Sequence, residues 1–126
     1  MKRFYIALLL LAALFSATLY NAHFLNTLTS QLTDLLAQAE LAAEAQQWGD
    51  AEELTQHANH LWQEHTMYLH ILLRHNDTDD VNLGFREVQA LILKQDAADY
   101  TAANARLMVE IELLYEAEQL SLRNVL

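Results

Sequence analysis

At 126 residues the chain has room for one membrane segment and one compact domain. It lacks proline and cysteine and has two glycines, Gly49 and Gly84, which excludes a disulfide scaffold, a thiolate metal site and a glycine-rich phosphate loop. Its charge is −10, and beyond Tyr20 five Lys and Arg face seventeen Asp and Glu, a balance that repels nucleic acid and anionic headgroups.

The first element is apolar. From Phe4 to Tyr20 the chain reads FYIALLLLAALFSATLY, and no formal charge appears until Asp34. As a helix, residues 4–20 would span roughly 26 Å, the short end of what a bilayer core needs, and extension to Leu25 completes the span. Phe4, Tyr5 and Tyr20 stand at the two edges, where amphipathic rings favour the interface. Signal-peptide cleavage needs small residues at −3 and −1. The available sites pair Phe15 with Ala17, or Tyr20 with Ala22, so retention as a lipid-embedded anchor is expected. Lys2 and Arg3 would hold the N-terminus in the cytoplasm and send the rest outside.

Leu25, Leu28, Leu32, Leu35, Ala39 and Ala42 form a seam at 3-4 spacing on a helix running to about Gln46, continuous with the anchor or bent near Asn21 and Asn26. Trp48-Gly49-Asp50 breaks the pattern, and Asp50 with Glu53 reads as a capping box for the next helix. That helix carries Ala51, Leu54, Ala58, Leu61, His65, Tyr68 and Leu72 on one face, with Trp62 and Leu69 beside them. Its opening turn resembles that of a tetratricopeptide repeat, but one such turn does not make a repeat array. The polar run His75–Asp80 supplies a loop and the cap of a third helix, lined by Val81, Phe85, Val88 and Ile92. A fourth helix starts at about Ala97. Tyr100, Ala103, Leu107, Ile111 and Leu114 form its first stripe, and Val109, Leu113 and Leu120 a second. Short connections predict antiparallel neighbours. The expected fold is all-α: an anchor over 1–22, then an extracytoplasmic antiparallel bundle of about four helices over 23–126.

Several segments together resemble a family. They are the Lys2-Arg3 start with its apolar stretch, Gln47-Trp48-Gly49-Asp50 leading into Ala51-Glu52-Glu53-Leu54, Leu72-Leu73-Arg74-His75-Asn76-Asp77, and Leu120-Ser121-Leu122-Arg123-Asn124-Val125-Leu126. The chain is similar to the bacterial domain of unknown function DUF4363, small proteins with an N-terminal membrane segment and a helical remainder. The resemblance implies membrane anchoring and an all-helical domain, and it lends no biochemical activity.

Candidate chemistry is confined to the histidines. Glu53, His57, His60 and Glu64 fall within about 60° on a helical wheel, a set of two imidazoles and two carboxylates suited to a divalent metal. An ordinary solvated strip explains the same residues and is the stronger reading, since a third ligand from another helix is not visible. His65 sits mid-face beside Leu61 and Leu69, where a hydrogen-bonded core histidine is expected, one that would acquire charge near pH 6. His70 and His75 flank Arg74 and suit a helix C-terminus. Asp77, Asp79 and Asp80 do not make an EF-hand, because the sixth and twelfth positions would be Asn82 and Val88. No nucleophile has an activating base nearby in sequence, so neither catalysis nor a cofactor is expected.

The function these residues point to is a membrane-anchored interaction or structural module. Its partners are lipid through residues 4–20, and a membrane or extracytoplasmic protein or a second copy, met through the Leu25–Ala42 seam or the second stripe of the last helix. A metal- or pH-responsive sensor is the alternative.

Overall fold

The structure is a computed structural model and describes residues 2–65 and 75–125. Every regular element among them is helical: α1 (Lys2–Glu44), α2 (Trp48–Glu64), α3 (His75–Lys94) and α4 (Ala97–Val125). Each helix packs on its chain neighbour and α4 packs back on α1, which closes a four-helix ring. The all-α bundle expected from the sequence is present, with one economy. The apolar N-terminal segment and the first bundle helix are a single helix of 43 residues, about 65 Å long. No glycine or proline interrupts it, and Asn21 and Asn26 do not break it.

The two ends of α1 differ in their surroundings. Phe4, Ile6, Leu9, Leu11, Leu14 and Leu19 are all more than half exposed. From Leu25 the pattern becomes one-sided, with Leu25, Leu28, Leu32, Leu36, Ala39 and Ala43 buried. The expected seam had Leu35 and Ala42 in place of Leu36 and Ala43. A strict seven-residue repeat drifts off the face of a straight helix of 3.6 residues per turn, and the burial follows the helix. Leu35 and Ala42 flank the core, half-buried.

Both described turns end their helices in the same way. Gln46 has φ of 64° and Gln95 has φ of 54°. Around the first, Gln47 N–H donates to the Ala42 carbonyl at 2.8 Å and Gln46 N–H to Ala43 at 3.0 Å. Around the second, Asp96 N–H donates to Leu91 at 3.2 Å and Gln95 N–H to Ile92 at 3.0 Å. These are paired Schellman closures, with glutamine in the left-handed position that usually falls to glycine. The first turn lies ahead of the predicted break: α2 begins at Trp48, its N-cap is Gln47, and no side chain caps it. The Asp50–Glu53 capping box is therefore overturned; Asp50 lies in the first turn, where its charge suits the helix dipole.

Two further expectations are corrected. The buried face of α2 is Trp48, Ala51, Thr55, Ala58 and Trp62, with Leu54 and Leu61 at its flanks. Trp62 sits inside because its large ring fills the bundle and its Nε1–H reaches Asn82 Oδ1 of α3 at 2.7 Å. The run His75–Asp80 is helical rather than a loop, since α3 starts at His75. The expected positions Tyr68, Leu69, His70 and Leu72 lie outside the described residues. The faces of α3 (Val81, Phe85, Val88, Ile92) and α4 (Tyr100, Ala103, Leu107, Ile111, Leu114) are buried as predicted.

The two hairpins match in register. Gln46 and Gln95 are 49 positions apart, and the same offset carries Leu36 to Phe85, Ala43 to Ile92, Thr55 to Asn104 and Trp62 to Ile111. All eight of these last residues are buried. The second copy of the turn that the sequence lacks as letters is therefore present as geometry.

Candidate functional site

On the outer side of the first hairpin, near its turn, lies an open groove of about 720 Å³. It is lined by the aliphatic Leu41, Ala42 and Leu54 and by the polar Gln38, Gln47, Asp50, Glu53 and His57. The 3.6-residue period accounts for this lining: Gln38 and Leu41 lie off the buried positions of α1, while Asp50, Glu53, Leu54 and His57 share one flank of α2. Leu41 is 65% exposed although it is a large aliphatic side chain on a well-packed hairpin.

The charge on this hairpin has one sign. Between residues 4 and 73 there are seven Asp and Glu and no Lys or Arg, whereas residues 74–126 hold ten acids and five bases. Glu40, half-buried on α1, has its carboxyl held above the usual range, first by burial and then by Glu44 one turn on. Burial, followed by the Glu40 charge, pushes the Tyr100 hydroxyl up to about 12. That hydroxyl is buried without a hydrogen-bond partner among the described residues, and the ring packs edge-on against Trp48 with centroids 5.8 Å apart.

The predicted histidine strip is divided by the fold. Glu53 and His57 face the groove. His60 and Glu64 pair with each other at 2.9 Å on the solvent side, with both side chains more than half exposed. Among the described residues no three His, Asp or Glu side chains are placed to hold a metal ion. His65 is not mid-face; it is the C-cap of α2, with Nδ1 at 2.8 Å from the Leu61 carbonyl and its ring 5.2 Å from Phe24. His75 opens α3 instead of closing α2, and His70 lies outside the described residues.

The expected contact surfaces also separate. Leu25, Leu28, Leu32 and Ala39 of the expected seam are the bundle's own core, while Leu35 and Ala42 flank it and Ala42 lines the groove. Val109 and Leu113 of the second α4 stripe are more than half exposed. The groove itself was missed by sequence reasoning. Its residues belong to two helices, and their juxtaposition depends on the turn at Gln46.

The second hairpin carries a smaller cleft, of about 240 Å³, around Gly84, Glu87 and Arg106. A Cβ on Gly84 would stand 2.8 Å from Leu107 Cδ1, so α3 and α4 approach closely there. Across that contact Arg106 pairs with Glu87 at 3.4 Å. Glu110 beside it is held above the usual carboxylate range by burial and by Asp80, with Arg106 opposing.

One protein-family model, described as a domain of unknown function (DUF4363), matches residues 19–125. No curated protein and no solved structure matches the chain.

Proposed function

The chain belongs to the DUF4363 family, a domain of unknown function, and on that footing we propose that it is a membrane-anchored interaction module whose bundle stands outside the cytoplasm. The observation that carries this reading is the change of environment along α1. Its first five turns are apolar on all sides and covered by nothing, and the same helix then runs into the ring. Sixteen exposed large apolar side chains are counted among the described residues, and eleven of them fall between Phe4 and Tyr20. Left in water, such a surface would cost on the order of 25 cal/mol for each Å² of apolar area, whereas hydrocarbon removes that cost. α1 is also the helix among the described residues that is long and apolar enough to cross a bilayer.

Lys2 and Arg3 ahead of the span favour a cytoplasmic N-terminus, and the acidic bundle on the far side follows. An interaction role, rather than catalysis, is supported by the nature of the exposed surface. It offers a groove lined without Lys or Arg and solvated carboxylates on helix faces, with no nucleophile beside a base in the sequence. Alkaline extraction of membranes tests the anchor: the chain is expected to stay with the lipid, and its recovery in the supernatant would contradict the reading.

A further inference from the structure

We propose that the groove between α1 and α2 is the docking site for a basic amphipathic helix of a partner protein. This rests on the reading of the chain as an interaction module and supplies the partner's chemistry. The occupant must match two properties at once. Leu41, Ala42 and Leu54 ask for aliphatic side chains, and Asp50 and Glu53 in the same lining ask for Lys or Arg beside them.

Charge complementarity selects among occupants. No Lys or Arg lies between residues 4 and 73, and among the described residues neither Asp50 nor Glu53 is ion-paired. A second copy would bring a net negative surface with either hairpin, seven acids without a Lys or Arg or ten acids against five, and be repelled. Nucleic acid and anionic lipid are repelled for the same reason. A polyamine meets the charge but leaves the apolar lining wet. A helix with leucines on one stripe and lysines alongside meets both demands, and the groove lies between two packed helices, α1 and α2.

The test uses the full chain in nanodiscs of neutral phosphatidylcholine, titrated with a labelled synthetic peptide of Leu and Lys placed at helical spacing. Wild type is expected to bind it. The double reversal Asp50→Lys with Glu53→Lys should weaken binding by roughly tenfold, and Leu41→Asn should weaken it several-fold. Glu112→Lys with Glu116→Lys, which changes net charge equally on exposed positions of α4, should change it less than about twofold. Circular dichroism checks each fold, and Asp50→Asn with Glu53→Gln replaces the reversal if that variant unfolds. Equal losses for the two reversals, no effect of Leu41→Asn, no binding by wild type, or displacement of the peptide by self-association would each overturn the proposal. If the chain fails to enter nanodiscs, the anchor reading falls, and the same titration in solution still decides the groove.

Discussion

The two hairpins of the bundle are alike inside and unlike outside. Inside, buried positions recur at an offset of 49 residues and both turns close through a left-handed glutamine. Outside, α1–α2 bears a groove of about 720 Å³ with Asp50 and Glu53 on it and no Lys or Arg, while α3–α4 bears a smaller cleft of about 240 Å³ beside Gly84 with the Arg106–Glu87 pair in its lining. Packing dictates the shared interior, because four helices in a ring need the same spacing of buried side chains whatever else they do. α3 also exposes leucines, Leu83 and Leu93, so what sets the first hairpin apart is that its exposed Leu41 stands among acids with no Lys or Arg between residues 4 and 73. The difference between the hairpins is therefore where function is to be sought.

Trp62 and Ile111 occupy matching positions, yet only Trp62 also donates a hydrogen bond across the ring. Trp62→Ala should cost about 3–5 kcal/mol, and Ile111→Ala about 2–5 kcal/mol, read by denaturant unfolding. A much smaller loss at Trp62 would break the equivalence at its core. Gly84 and Leu35 are the next contrast, since they too are 49 apart. Gly84→Leu, which copies the first hairpin into the second, should cost roughly 1–3 kcal/mol by overpacking against Leu107. Tolerance of it would mean that the two hairpins are equally roomy.

The turns predict a gain instead. Gln46→Gly and Gln95→Gly should each stabilise by about 1 kcal/mol, because glycine enters the left-handed region without steric strain. A response at only one site would show that the turns are not equivalent. The smallest effects concern pH. Glu40 and Glu110 have raised carboxyl values in the folded state, so the fold binds protons more readily than the unfolded chain there. Their contribution to stability is present in acid, below the ordinary value of 4.5, and is lost as pH rises through their higher folded values. Glu40→Gln and Glu110→Gln should each flatten that part of the stability profile, one in each hairpin. An unchanged slope between pH 4.5 and neutrality would contradict the assigned burial.

Much of this fold is legible in the letters, and the failures have physical causes. Val81, Phe85, Val88 and Ile92, like Tyr100 to Leu114, are bulky apolar residues at 3-4 spacing among polar neighbours, so their face is unambiguous. On α2 the leucines mislead. Leu54 and Leu61 are the expected core by hydrophobicity, but Trp62 claims the interior by size and brings Thr55 in with it. The turns are hidden because glutamine is not a residue that announces a left-handed cap. Of the candidate site, the acids and the lack of bases can be read directly from residues 4–73. The groove cannot, since Leu41 and Leu54 become neighbours only once the turn at Gln46 sets the pairing of two helices.

The most direct test of the account uses the absence of native cysteine, which makes single-cysteine labelling free of background. Arg3→Cys, Leu11→Cys and Gly49→Cys are treated with a membrane-impermeant maleimide in intact cells and again after lysis. The prediction is that Gly49→Cys, exposed at the start of α2, reacts in intact cells, Arg3→Cys reacts only after lysis, and Leu11→Cys stays unreactive in both. Labelling of Gly49→Cys only after lysis, or loss of the Arg3→Cys segment from the mature chain, would contradict it.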